Sequence, residues 1–148
     1  MEALIFGYFF TEYPNCELAN FGFQFLNVLS NLAFLAVAYL LYQKGGKARW
    51  LAFLVVLSSI GSFVHHLWPL NETVPFDVLP ALIVAVSALL LSVKNLTSRD
   101  LLIVVAIGLA GFLALYLDIP LCDTFPLGTH FLWHFLAAYA LFLLGRRI

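Results

Sequence analysis

The chain contains four histidines, and they fall in two places. His130 and His134 stand in H-F-L-W-H. On a helix, residues four apart share a face one turn apart, so these two imidazoles can approach a single metal ion. His65 and His66 close the segment G-S-F-V-H-H, in which Ser62 precedes His66 by four positions and His65 by three. Asp77 follows soon after. Imidazole suits zinc, and three protein ligands with one open position describe a catalytic zinc site, whereas a structural site takes a fourth protein ligand, usually Cys. The expected chemistry is hydrolysis of a carbonyl compound by activated water. Unlike H-E-x-x-H sequences, this one carries no Glu between its histidines. Asp77 is therefore expected to orient or deprotonate the water and later protonate the leaving group, with Ser62 hydrogen-bonding the water or the developing oxyanion.

Each residue also has a plainer reading. Asp77 can be the N-cap of a helix with Pro80 in its first turn. Ser62 can serve helix packing or bond its own preceding turn. Histidines in apolar helices can be hydrogen-bonded packing residues. Spacing does not choose between His65 and His66. Gln24, Asn27, Ser30 and Asn31 form a further polar stripe, suited to supporting a site or to bonding between helices. Paired histidines also suit haem, so a metal- or lipid-binding membrane protein without turnover is the alternative class.

The elements that position these residues follow from composition. Of 148 residues, 64% are hydrophobic and 10% charged, against roughly half and a quarter in soluble domains. A small soluble fold has no way to bury that much apolar surface. The chain is expected to be an all-α integral membrane protein, a single domain with no nucleic-acid partner. Five runs are long enough to span: residues 21–42, 50–68, 77–93, 101–117 and 127–144. Breaks are expected at Gly45-Gly46, at Pro69 with Pro75, at the polar run 95–100, and at Pro120 with Pro126. The first 20 residues carry Glu2, Glu12 and Glu17 and no Lys or Arg, unlike a secretory signal.

Lys44, Lys47, Arg49, Lys94, Arg99, Arg146 and Arg147 all lie in the first loop, the third loop or the C-terminus. The positive-inside rule then predicts a cytoplasmic C-terminus and an outside N-terminus. The chemical cluster lies toward the outer face, periplasmic in a bacterial inner membrane or lumenal in the endoplasmic reticulum. Cys16 and Cys122 share that oxidising side, where they can form a disulfide or stand as two buried thiols. Tyr42, Trp50 and Trp68 are expected as interfacial anchors.

The pattern resembles the alkaline ceramidase family, within the CREST superfamily of intramembrane metal hydrolases that also includes adiponectin-receptor-like proteins. The matching pieces are Cys16-Glu17, F-x-N-x-x-S-N from Phe25 to Asn31, G-S-x-x-x-H from Gly61 to His66, D-x-L-P from Asp77 to Pro80, and H-x-x-W-H from His130 to His134. The resemblance implies His66, His130 and His134 as zinc ligands, with Ser62 and Asp77 completing the site. It implies hydrolysis of the N-acyl bond of ceramide or a related sphingolipid, with a phospholipid or lipid ester as the alternative substrate. It also implies an outside N-terminus and a Cys16 to Cys122 disulfide. Two departures stand out. The family typically has seven helices against five expected here, which places a missing pair between Leu117 and Leu127. Of the family's calcium-binding groups only Glu17 clearly matches, with Gln24 where an acid is expected, so calcium is not expected.

Overall fold

A computed structural model describes residues 21–69, 72–121, 124–125 and 127–148. The described residues form five α-helices: α1 (Phe21–Lys44), α2 (Lys47–Leu67), α3 (Val74–Ser92), α4 (Ser98–Leu121) and α5 (His130–Gly145), with a 3-10 turn at Val93–Asn95. Cys16, Glu17 and Cys122 lie outside the described residues, as do the expected disulfide and the calcium comparison that rest on them.

Four helices are long and apolar enough to cross a membrane. The fifth has 16 residues, about 24 Å at 1.5 Å per residue, less than the roughly 30 Å hydrocarbon core. It begins at His130 and not at the expected residue 127. Large apolar side chains face outward, among them Phe53, Leu82 and Leu102, the last 72% exposed. That inside-out surface is what a bilayer accepts and water does not. Tyr42, Trp50 and Trp68 are exposed at helix ends, as expected of interfacial anchors.

The interior mixes small residues with branched ones: Ala38, Ala48, Ala52, Ala88 and Ala138 pack with Leu41, Leu51, Val55 and Leu141. Small side chains let membrane helices approach closely, so that dispersion does the work that hydrophobic burial does in water. α1 packs on α2, α2 on α3, and α5 bridges α1 and α4 while touching α3.

The joints follow from local chemistry. Gly45 and Gly46 adopt φ of 82° and 55°, a left-handed conformation that costs glycine little and reverses the chain between α1 and α2. At the start of α4, the Thr97 backbone N–H donates to the Asp100 carboxylate at 2.9 Å, while the Asp100 N–H donates to Thr97 Oγ1 at 3.1 Å. This reciprocal pair is a capping box. α3 starts at Val74, three residues earlier than expected, because Pro75 sits in the first turn, where its missing N–H has no partner to lose. Pro120 is also absorbed, in the last turn of α4, where a break was expected.

One end of the bundle gathers the basic residues. Lys44 Nζ donates to the carbonyls of Gly145 and Arg146 at 3.1 and 2.8 Å, where a cation also opposes the negative end of the α5 dipole. Asn95 Nδ2 donates to the Arg147 carbonyl at 2.7 Å, and Arg147 pairs with Asp100 at 2.8 Å. Successive helices run in opposite directions, so the end of α2 and the starts of α3 and α5 meet at the opposite end.

Candidate metal centre

Three imidazoles converge at that far end. His66 comes from the last turn of α2, His130 from the first residue of α5, and His134 from one turn later. One nitrogen of each lies within 4.8 Å of the other two. The ring centroids stand 4.8, 5.1 and 4.9 Å apart for the pairs 66–130, 66–134 and 130–134. All three are buried, His66 and His134 to 2% exposure. Zn–N bonds of about 2.0–2.1 Å in a tetrahedral shell put ligand nitrogens about 3.3 Å apart, so each ring needs to advance by roughly 0.8 Å at most. A rotation about χ1 or χ2 supplies that. Three buried histidines so arranged can hold a metal ion.

The orientation of His134 is legible from its partners. Ser30 Oγ lies 2.8 Å from the Asn27 carbonyl and 2.7 Å from His134 Nδ1. A carbonyl only accepts, so the single hydroxyl proton goes to Asn27 and Ser30 accepts from His134 Nδ1–H. With its proton held on Nδ1, neutral His134 keeps the Nε2 lone pair for a metal. Asn27, Ser30 and Asn31 of the polar stripe on α1 are buried, at 0% exposure for Asn27 and 2% for Ser30 and Asn31. Its Ser30 supports a histidine, and Asn31 bonds back to the Asn27 carbonyl at 3.0 Å.

The choice between His65 and His66 is made by the next loop. Thr73 Oγ1 donates to the Trp68 carbonyl at 2.8 Å and lies 2.8 Å from His65 Nδ1. By the same proton count His65 Nδ1–H donates to Thr73. His65 thus ties the α2–α3 connection, and it is His66 that joins the cluster.

Ser62 and Asp77 are brought together by the crossing of α2 and α3. A Cβ added to Gly61 would collide with the Phe76 carbonyl oxygen, so only glycine permits this approach. That carbonyl is also the one whose helical partner would be the N–H of residue 80, and Pro80 has none. The neighbours of this contact are Ser62 and Asp77, and the Ser62 hydroxyl hydrogen-bonds the Asp77 carboxyl. Asp77 is the fourth residue of α3, not its N-cap, since Thr73 holds that place. Ser62 is 4% exposed and lies one turn before His66 on the same helix. Its hydroxyl is engaged by Asp77, so its first duty is to hold that carboxyl.

Asp118 was not singled out by sequence reasoning, although it lies deep in the site region. It is 1% exposed at the end of α4. Its Oδ1 accepts the backbone N–H of Thr129 at 2.5 Å and of His130 at 2.8 Å. Its Oδ2 lies 3.9 Å from His130 Nδ1. The signal in the sequence was a lone carboxylate at the end of a long apolar run, where an acid is costly without a role. No known protein family, curated protein or solved structure matches the chain.

Proposed function

We propose that the protein is a zinc-dependent intramembrane hydrolase that cleaves the N-acyl amide bond of a ceramide-like lipid at the outward face of the membrane. The observation that carries this reading is the convergence of His66, His130 and His134 on apolar membrane helices, with Ser62, one turn before His66, hydrogen-bonded to the Asp77 carboxyl. The donor set fits zinc: every ligand is an imidazole nitrogen, and His134 presents a lone pair because its proton is committed to Ser30. The described residues supply three ligands, which leave a position open, whereas a structural site would be closed by a fourth. Zinc in such a site activates water near neutral pH and polarises a carbonyl.

The protein's own groups supply the rest. Asp77 takes the proton from the attacking water on its carboxylate and returns it to the nitrogen as the carbon–nitrogen bond breaks, releasing a fatty acid and a long-chain base. Ser62 keeps that carboxyl aimed, and the burial of Ser62 and the three histidines keeps bulk water from the space between the rings. A lipid ester would use the same groups, with the proton delivered to an alkoxide. Haem is disfavoured, because rings with centroids 4.8–5.1 Å apart in mutual contact leave no slot for a porphyrin.

The test is fatty-acid release from an N-acyl sphingoid lipid and its ester analogue by zinc-loaded protein in lipid nanodiscs. Asp77→Asn should retain zinc and lose about 10²- to 10⁴-fold in rate, the usual worth of a positioned acid–base group. Zinc-loaded protein inert on both lipids, or Asp77→Asn as active as the native chain, would sink the hydrolase reading.

A further inference from the structure

Asp118 is a buried acid that the proposed chemistry does not use. Its two oxygens face different partners. Oδ1 is committed to the first N–H groups of α5, at Thr129 and His130, with Thr129 Oγ1 3.4 Å away and donating to the Ala114 carbonyl. A carboxylate there meets the positive end of the α5 dipole. Oδ2 is turned to the His130 ring, 3.9 Å from Nδ1. At 1% exposure no bulk water screens that approach.

We propose that Asp118 is a positioning residue for the metal centre: one oxygen sets where α5 begins, and the other keeps the His130 proton on Nδ1, so that Nε2 faces His66 and His134. The inference rests on the metal-centre reading but reaches a residue outside the ligand set. The physical case is that neutral imidazole carries its proton on the side where the negative charge stands, and a cation drawn to the opposite nitrogen strengthens that preference. The same carboxylate ties two events together. It joins the end of α4 to the start of α5, so the connection between those helices and the aim of His130 are set by one group. His134, one turn further on, has a separate support in Ser30. Each ligand of the H-x-x-x-H pair is thereby oriented from a different helix.

The experiment is ¹⁵N NMR of histidine-labelled protein in detergent, without metal, followed by zinc titration against a competing chelator. In the native chain His130 should be the Nδ1–H tautomer. Asp118→Asn keeps an oxygen for the two backbone donors but removes the charge. It should move the His130 proton toward Nε2 and weaken zinc binding about 10- to 100-fold, with helical content unchanged. A native His130 protonated on Nε2 overturns the proposal without any variant. So does Asp118→Asn with an unchanged tautomer and zinc affinity within twofold, which would leave Asp118 as a helix cap alone. A native chain that shows the Nδ1–H tautomer, loses it in Asp118→Asn, yet takes up no zinc would keep the positioning role and remove the metal reading.

Discussion

Replacing Ser30 by Ala isolates the support of one imidazole with little disturbance of packing. Ser30 Oγ sits 2.7 Å from His134 Nδ1 and 2.8 Å from the Asn27 carbonyl, inside a buried contact between α1 and α5. The substitution deletes the acceptor for the Nδ1 proton and frees the imidazole to exchange tautomers. A net buried hydrogen bond is worth about 0.5–1.5 kcal/mol. Loss of an outer partner of a metal-bound histidine typically weakens binding about 10- to 100-fold. The edge contact of Phe34 with the ring does not depend on Ser30, so the effect belongs at the lower end. We expect zinc to bind about 5- to 10-fold more weakly, which is about 1–1.4 kcal/mol. The assay is competition between the detergent-purified protein and a chromophoric chelator, with circular dichroism to verify that the helices persist. An affinity within twofold of the native chain, helices intact, would refute the claim that Ser30 directs His134.

Three other perturbations separate the parts. His65→Ala should leave zinc affinity within twofold, because the His65 proton goes to Thr73 and the ring stands outside the cluster; chelator competition checks it. Gly61→Ala should lower stability by about 1–3 kcal/mol through overpacking against the Phe76 carbonyl. It should also cut lipid hydrolysis at least tenfold, because it moves Asp77 away from Ser62; thermal unfolding and turnover are the readouts. Lys44→Met removes two hydrogen bonds to the last carbonyls of α5. It should lower stability by roughly 1 kcal/mol without changing zinc affinity, since it acts at the opposite end of the bundle.

Much of this arrangement is legible in the sequence because it is periodic or local. The apolar runs mark five helices, and the Gly45-Gly46 pair marks the first reversal. The His130–His134 spacing shows two rings on one face, and the G-S pair before His66 lies where α2 meets α3. What escapes is non-local. The separation of His65 from His66 is decided by Thr73, a loop residue with no sequence signature of its own. The start of α5 is set by Asp118, 12 residues before His130 and on another helix, so the apolar run alone extends it to residue 127. The place of Asp77 inside α3 was obscured by Pro80, which suggests a first turn, whereas Pro75 occupies it. The two acids therefore illustrate opposite cases. Asp77 is recognisable by its proximity in sequence to a histidine segment, while Asp118 acquires its partner only when α4 and α5 pack.

The most direct test of the account is metal content by mass spectrometry, on detergent-purified native protein beside His66→Ala and His65→Ala. The geometry predicts about one zinc per chain in the native protein and in His65→Ala, and loss of it in His66→Ala, because His66 and not His65 shares the buried cluster with His130 and His134. No zinc in the native chain after chelator-free purification and zinc loading, or equal loss in both variants, would contradict it.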